Sequence, residues 1–247
     1  MRCHLALPLC LALPLLACGG ASGGGDASAA DPITVSGRIT QFGTDPPVGI
    51  EGVQTCLHPE DTQCVTSGPD GAILMVGVPA RSRILISLVK QGFASALITS
   101  VTEEEDLTDA AAALAQPGAI ELVFNPTGVV IDWAKGHIVF FADDGAAEGG
   151  GGKAGVSASL SPAPSPGSGP HYLGDGVIPL TDMSLEATSP TGAGGFVNLA
   201  SGSHTMTLSG GGTCSSSNNL GWVGTEANTF DVPVEAGFIT YVVGACQ

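Results

Sequence analysis

The side chains of this chain that are able to do chemistry are few and scattered. Nucleophilic catalysis needs a Ser or Cys beside a His that a carboxylate orients. The histidines beyond residue 18 are His58, His137, His171 and His204, and no recognisable motif pairs any of them with a nucleophile. His171 follows a loop rich in Pro, Ser and Gly, which favours a place at a binding surface. We therefore expect a protein that is not an enzyme, and a hydrolase built on His171 or His204 is an alternative of a different class.

The glycines before Lys153 are similar to a phosphate-binding loop, but the pattern fails in detail. Gly149–Gly152 precede the lysine, the first glycine of the motif would fall at Ala147, and Ala154 stands where a hydroxyl would contact magnesium. The segment also lacks the strand-to-helix context of such a loop. The sequence therefore predicts a flexible hairpin loop here, and no nucleotide or other cofactor.

Acidic side chains cluster at two places that calcium could use. Glu103–Asp106 form one run, while Asp143, Asp144 and Glu148 share the Gly-rich loop. Calcium needs about six to eight oxygen ligands that converge on one point. Consecutive side chains on a helix diverge, and three carboxylates in a Gly-rich loop would bind weakly. We expect both clusters to be solvated and predict no metal site.

Four aromatic side chains are candidates for stacking on a sugar ring: Trp133, Tyr172, Trp222 and Tyr241. Trp133 lies just before an apolar strand pattern and Tyr241 lies within one, and both positions favour the core. Trp222 lies in a turn-rich region near Cys214 and is the strongest candidate. Tyr172 and the neighbouring His171 are the further predicted ligand contacts.

The first residues predict export and a lipid anchor. A positively charged start precedes Leu5–Leu16, an apolar run too short to span a bilayer. Small Ala17 stands directly before Cys18, and this arrangement resembles the lipobox of bacterial lipoproteins, in which the signal is cut before a cysteine that is then acylated. The resemblance implies a signal peptide over 1–17, acylated Cys18 as the contact with the lipid bilayer, and a flexible Gly, Ser and Ala tether over 18–31. An ordinary signal peptide cut elsewhere is the alternative.

The remaining cysteines predict disulfide bonds. With the signal removed and Cys18 acylated, the chain keeps Cys56, Cys64, Cys214 and Cys246. An even number of cysteines in an exported chain favours disulfides, and several connectivities are possible. Spacing favours Cys56–Cys64 with Cys214–Cys246, one bond in each half. Metal ligation is the alternative, but no second Cys or His lies at a Cys-x-x-Cys-type spacing.

Composition and charge exclude some classes of partner. The chain has 247 residues with 37 Gly and 17 Pro, and it is 43% hydrophobic but only 12% charged. This composition suits short strands joined by many turns. The formal net charge is −16, and the predicted signal contains one base and no acid. So negative a chain disfavours nucleic acid and electrostatic docking on anionic lipid.

Strand patterns recur through the first half of the chain. Residues 33–40 alternate between apolar and polar side chains, and Asp70-Gly71 is a strong turn signal. Further predicted strands lie at 50–57, 63–67, 72–78, 83–90 and 93–101. Short strands at this density indicate a β-sandwich.

A different pattern follows the sixth predicted strand. Leu107, Ala110, Ala111 and Leu114 have helical spacing and come after the acids of 103–106. Acids favour the start of a helix, and Pro-Gly favours its end. We therefore expect a helix over 107–115 within a linker over 103–127.

The order of these pieces resembles the carboxypeptidase regulatory-like family, whose domains are prealbumin-like (transthyretin-like) sandwiches. The resemblance rests on Val35–Ile39, Pro47–Val53, Asp70–Met75 and Gly77–Ala80, with Ile73 where Phe is common and Ser82 where a Gly is expected. Gly192–Gly202 resembles a turn-strand-turn of the same family, so the second half repeats the first in weaker form. The resemblance implies an all-β fold of two prealbumin-like (Ig-like) sandwiches, over 32–102 and 128–247, joined by a short helix. The whole chain resembles a two-domain lipoprotein of myxobacterial type.

Together these features favour a non-catalytic, membrane-anchored lipoprotein of the cell envelope that acts as a surface accessory, adhesion or binding module. Gly19 rather than Asp follows the acylated cysteine, which implies the outer membrane or the cell surface if the enterobacterial sorting scheme applies. A carbohydrate-binding sandwich is the alternative, with Trp222 and Tyr172 as contacts. The expected partners are the lipid bilayer and either a glycan or another envelope protein, and fold analogy alone does not choose between those two.

Overall fold

The computed structural model describes residues 30–145, 151–176, 179–217 and 219–247. The predicted signal peptide, Cys18 and most of the predicted tether lie outside the described residues, so the lipid anchor stays a prediction. No helix within the described residues is long and apolar enough to cross a bilayer.

Nearly all of the regular structure is β, as the composition indicates. The first half contains β1 (Ile33–Gln41), β2 (Gln54–His58), β3 (Cys64–Thr66), β4 (Ala72–Val78), β5 (Arg83–Val89), β6 (Ser95–Val101) and β7 (Leu107–Leu114). The helix α1 (Pro117–Phe124) and a 3-10 turn at Asn125–Thr127 follow. The second half contains β8 (Gly136–Asp143), β9 (Ser157–Ser161), β10 (His171–Tyr172), β11 (Ala193–Leu199), β12 (Gly202–Ser209), β13 (Cys214–Ser216), β14 (Trp222–Val223), β15 (Thr229–Val234) and β16 (Phe238–Cys246).

Within the described ranges the strands form three sheets, and the largest of them runs through both halves of the chain. This central sheet has the order β10-β11-β8-β16-β6-β5-β2-β3, and β13 also pairs with β16. The three-stranded sheet has the order β4-β1-β7, and the four-stranded sheet has the order β14-β15-β12-β9. Strand β16 runs parallel to both of its neighbours, β6 and β8. The domains expected at 32–102 and 128–247 therefore share one sheet.

The two smaller sheets cover opposite faces of the central sheet. Tyr241 is in register with Ile98, and Ile98 with Ile86, so these side chains share one face. On that face the strands of the first half pack against the three-stranded sheet through Val35, Ile39, Met75, Ile84, Ile86 and Leu88. Val242 and Phe140 lie on the other face, where the four-stranded sheet contributes Leu160, Met206 and Phe230. The result is two β-sandwiches with separate cores, which confirms the predicted all-β sandwich fold.

The segment predicted as a helix over 107–115 is a strand, so that prediction is wrong. Strand β7 pairs in parallel with β1 from Leu107 to Leu114. Ala110 and Leu114 fit a period of two as well as a helical period, and an alanine run does not distinguish the two patterns. Pairing with β7 satisfies the main-chain N–H and C=O groups along β1, and this tertiary gain overrides the helical propensity of alanine.

The short helix that joins the two sandwiches begins where the sequence predicted a helix to end. Pro117 is in the first turn of α1. Main-chain N–H groups in the first turn have no partner within the helix, so the N–H group that proline lacks costs no helical hydrogen bond. Ile120, Val123 and Phe124 are its buried residues, and they pack on the central sheet beside Ile239. The helix therefore covers the face of the second half that the three-stranded sheet does not reach.

Strand β7 lies very close to β1 at Gly37, where an added Cβ atom would lie 2.0 Å from the carbonyl oxygen of Ala110. The pairing shifts between Val35↔Leu107 and Gly37↔Ala110, because β7 uses one more residue than β1 over this stretch. Asp109 takes up the extra residue with a left-handed φ of 58°. Only glycine at position 37 allows this bulged strand to lie so close.

Both predicted disulfide bonds form. Cys56–Cys64 joins opposite positions of β2 and β3, and Cys214–Cys246 joins opposite positions of β13 and β16. Each bond lies within one half of the chain, as the spacing favoured.

Candidate functional site

Trp222, the strongest predicted ligand contact, lies where the two halves meet. It begins β14 and stands opposite Asp231 of β15. Its indole Nε1–H group donates a hydrogen bond to the carbonyl oxygen of Ser100 on β6 at 2.9 Å. The guanidinium carbon of Arg83 lies 6.0 Å from the centre of the indole ring. The side chain is half-buried, so part of the ring is still accessible.

Arg83 holds this cluster together from β5. Its Nη1 donates to Asp231 Oδ2 at 2.7 Å, and its Nη2 donates to the carbonyl oxygen of Val223. The side chains of Arg83 and Asp231 are 49% and 44% exposed. Solvent screens such a pair, which contributes about 1 kcal/mol or less. The cluster therefore orients Trp222 and joins the halves, but it does not form a buried charged site.

Tyr172 and His171 form β10 and are 3% and 7% exposed. The Tyr172 hydroxyl accepts a hydrogen bond from the Ala158 N–H at 2.9 Å, and its ring packs edge-on against Phe140. His171 Nε2 donates to the carbonyl oxygen of Gly167 at 3.1 Å, and burial lowers the pKa of the imidazole. The surface position expected for His171 is wrong, because β10 pairs with β11 inside the second sandwich. Neither ring presents a face on which a sugar could stack.

The other buried histidines also bond to the main chain. His204 Nε2 donates to the carbonyl oxygen of Ala200 at 3.1 Å. His137 Nδ1 accepts from the Asn198 N–H at 3.3 Å, and burial lowers its pKa to about 4 despite the opposing effect of Asp132. Within the described ranges, no hydroxyl or thiol hydrogen-bonds to a buried histidine, so the nucleophile–base contact of a hydrolase is not formed there.

The acidic Gly-rich loop is only partly described. Asp143 ends β8, where its Oδ1 accepts from the Gly145 N–H at 2.8 Å and its Oδ2 accepts from the Ser217 hydroxyl. The Lys153 N–H donates to the Ala142 carbonyl at 2.7 Å, so Lys153 is hydrogen-bonded to the end of β8. Glu148 lies outside the described residues, so the solvated loop stays a prediction. Among the described residues, no group of three or more His, Cys, Asp or Glu side chains could hold a metal ion.

A cavity of about 420 Å³ lies between the three-stranded sheet and the central sheet, and we call it the inter-sheet cavity. Its walls are Val35, Arg38, Ile39, Thr55, Ile73, Ile86, Leu88, Ile98, Ser100, Leu107–Ala112, Asn219 and Leu220. A second cavity of about 160 Å³ shares some of these walls and adds Tyr241. Sequence reasoning missed these residues. The alanine run of β7 is the sequence feature that could have indicated the cavity, because on a strand it places small side chains between two sheets.

Comparisons with known proteins leave the family open. No protein-family model matches the chain, and no curated protein matches it. Among solved structures, it is similar to the Bacillus anthracis TIE protein (11% identity over 87% of this chain and 34% of that one, TM-score 0.27). It is also similar to the minor pilin GBS52 of Streptococcus agalactiae (13% identity, 85% of this chain and 94% of that one, TM-score 0.25). The shaft pilin SpaA of Lactobacillus rhamnosus GG gives 11% identity over 87% and 98% of the two chains, with a TM-score of 0.25.

The chain spans about a third of the length of the TIE protein, 34%. At these identities and TM-scores the likeness carries no argument about function.

Proposed function

We propose that this chain is a non-catalytic lipoprotein of the cell envelope, a rigid accessory, adhesion or binding module held at the outer membrane or cell surface by acyl chains on Cys18. In this proposal the two sandwiches are carboxypeptidase regulatory-like domains of a myxobacterial-type lipoprotein. The observation that carries the rigid module is the parallel pairing of β16 with β6, which joins both halves in one sheet. The anchor rests on the Ala17-Cys18 pair in the sequence.

The contacts between the halves support a rigid unit. Domains joined by a linker alone are expected to move relative to one another. Here Phe238–Tyr241 is in register with Ser95–Ile98, so main-chain hydrogen bonds cross from one half to the other. The Trp222 Nε1–H···O contact with Ser100 adds a side-chain link. A rigid unit suits display of a binding surface, whereas enzymes that close over a substrate need a hinge.

The anchor is tested by metabolic labelling with a palmitate analogue and by membrane fractionation. We expect the wild-type protein to carry label and to sediment with membranes. Cys18→Ala should lose the label and either remain unprocessed or become soluble. Cys10→Ala, which alters a cysteine inside the predicted signal, is the matched control and should behave like the wild type. Label that persists in Cys18→Ala would contradict the lipoprotein assignment.

Sugar binding is the second candidate function, and the accessible part of Trp222 is the observation that favours it. Arg83 and Asp231 lie beside the ring and could hydrogen-bond to sugar hydroxyls. A glycan array on the soluble chain that begins at Gly19 tests this function. Saturable binding should be lost in Trp222→Ala and largely kept in Trp222→Phe. If no glycan binds, or if Trp222→Ala binds like the wild type, Trp222 is a junction residue rather than a sugar contact.

A further inference from the structure

We propose that the inter-sheet cavity binds a neutral, mainly apolar small molecule that carries a hydrogen-bonding group. The inference goes beyond the proposed function, because it concerns the interior of the first sandwich and holds with or without a lipid anchor.

The volume of the cavity fits a small ligand. Protein interiors leave few voids larger than a water molecule, whereas ligand pockets occupy about 300–1,000 Å³. The inter-sheet cavity, at about 420 Å³, falls in the second class. Its origin lies in β7, where Ala110 and Ala112 face the core and fill little of the space between the sheets. The bulge at Asp109 lies on the wall of the same cavity.

Thr55 gives the cavity a specific polar contact. It stands opposite Leu88 of β5, on the face that the three-stranded sheet covers, and both residues line the cavity. The side chain is 0% exposed, and its Oγ1 has no hydrogen-bond partner among the described residues. A buried hydroxyl without a partner is unfavourable, and a ligand group that hydrogen-bonds to it would remove that penalty.

Other polar groups nearby indicate which hydroxyls a ligand could use. The Ser100 hydroxyl already donates to the carbonyl oxygen of Asn219 at 2.9 Å, so it is satisfied by the protein. The Tyr241 side chain lines the adjoining smaller cavity, which shares Ile98 with the larger one. Burial raises the pKa of Tyr241 to about 12, so its hydroxyl stays protonated and able to donate. Thr55 and Tyr241 are therefore hydroxyl-bearing residues in the walls of two adjoining cavities with a mainly apolar lining.

The mainly apolar lining of the cavity disfavours a charged ligand of either sign, because a buried charge needs a partner, and the charges around the cavity disfavour an anion in particular. Arg38 and Asp109 are the two charged residues of its lining, and they have opposite signs. Arg38 Nε is already engaged, since it donates to the carbonyl oxygen of Asp70 at 2.6 Å. The acids Glu103–Asp106 precede β7, and the chain as a whole carries a net charge of −16. An anionic ligand would meet repulsion that a neutral ligand of the same shape would not.

Two fluorescent probes with the same ring system test the inference on the chain that begins at Gly19. N-phenyl-1-naphthylamine is neutral, and 8-anilino-1-naphthalenesulfonate adds a sulfonate. We expect the neutral probe to bind saturably, one per chain, and the sulfonate to bind about tenfold more weakly or worse. Methyl NMR spectra should place the shifts caused by the neutral probe at Ile86 and Ile98. Absence of saturable binding, equal affinity for both probes, or shifts elsewhere on the chain would each overturn the proposal.

Variants of the cavity wall locate the binding site. Ala112→Leu should fill the space and weaken binding of the neutral probe by about tenfold or more. Ala72→Leu is the matched control, because Ala72 is an exposed strand residue outside the cavity lining, and its affinity should stay within about twofold of the wild type. Unchanged affinity in a folded Ala112→Leu variant would overturn the proposal.

Thr55→Val tests the hydroxyl without changing the shape of the side chain. This variant should fold at least as stably as the wild type, because it removes an unpaired buried polar atom. Its affinity for the neutral probe should fall about threefold to tenfold, since the probe's N–H group loses its acceptor. If Ala112→Leu does not fold, this variant and the NMR shifts decide the question, and unchanged affinity in Thr55→Val would overturn the role of the hydroxyl.

Discussion

His58 Nε2 of β2 and Glu235 Oε1, just before β16, lie 2.8 Å apart although 177 residues separate them in the sequence. His58 Nδ1 also lies 3.2 Å from Asp61 Oδ1, and the imidazole packs against Phe238 at 6.1 Å between ring centres. A neutral imidazole can donate to one of these carboxylates and an imidazolium to both. The contact therefore links the first half to the second, separately from the Arg83–Asp231 pair.

We expect this contact to stabilise the protein. His58→Gln and Glu235→Gln should each lower the free energy of unfolding by about 1 kcal/mol. The effect is modest because the Glu235 side chain is 38% exposed, although that of His58 is only 11% exposed. Urea unfolding followed by tryptophan fluorescence measures both variants and the double variant. A coupling energy of zero in that cycle would show that the pair does not stabilise the junction. Asp61→Asn is the control and should have a smaller effect, since the Asp61 side chain is 52% exposed.

The buried His137 should make stability depend on pH. Its side chain is 2% exposed and packs against Trp133 at 5.2 Å between ring centres, and burial lowers its pKa from 6.5 to about 4. Between those two values the unfolded chain binds more protons than the folded chain, so stability rises with pH. The contribution is fully present above about pH 6.5 and is lost as the pH falls towards 4, and it amounts to about 3 kcal/mol at most.

His137→Phe keeps an aromatic ring and removes the titrating group. Its unfolding free energy should therefore change less between pH 4 and 6.5 than that of the wild type. Chemical denaturation at half-unit pH steps gives the two curves. A smaller slope should remain in the variant, because burial also lowers the pKa of His171. Parallel curves would mean that His137 is not buried in its neutral form.

Local patterns predicted the strands of the first half and both disulfides but could not predict how the halves join. Residues 33–40 alternate in hydrophobicity and residues 72–78 form an apolar run after a turn signal, and β1 and β4 form there. The pairing of β16 with β6 brings together segments more than a hundred residues apart. The hydrophobic pattern of a strand indicates which of its faces is buried, but it does not indicate which strand lies beside it. The strand β7 was missed because an alanine run fits either period and its partner β1 decides the outcome.

The candidate sites show the same limit. Trp222 could be singled out because it lies in a turn-rich segment, but its neighbour Arg83 is 140 residues from Val223 and 148 from Asp231. His171 and Tyr172 follow a segment with the composition of a surface loop, yet both are buried in the two-residue strand β10. No sequence pattern singled out Thr55 as a candidate ligand contact, since its unpaired hydroxyl results from the packing of the sheets.

Two glycines give opposite predictions for substitution by alanine. Gly37→Ala should lower the free energy of unfolding by about 2–4 kcal/mol, because the new Cβ would lie 2.0 Å from Ala110 O, and the β1–β7 pairing must open. Gly118 lies in α1 with nothing within 4 Å of an added Cβ. Gly118→Ala should therefore raise stability by about 0.4–1 kcal/mol, because alanine lowers the conformational entropy of the unfolded chain and fits the helical backbone. Thermal unfolding measures both, and a destabilised Gly118→Ala variant would contradict the position of the helix.

The two disulfides should differ in their contribution to stability because they close chain loops of different length. Cys214 and Cys246 are 32 residues apart, and Cys56 and Cys64 are 8 apart. Loop-closure entropy in the unfolded chain predicts that replacing the first pair by serine costs about 3–4 kcal/mol, and replacing the second about 2–3 kcal/mol. The long-loop bond also holds β13 on β16, where the Cys214 N–H donates to Asn228 Oδ1 at 2.7 Å. Urea unfolding of the two double-serine variants measures the difference, with the wild type as reference. A larger loss for the Cys56–Cys64 pair would show that contacts in the folded state, rather than loop length, set the contribution of each bond.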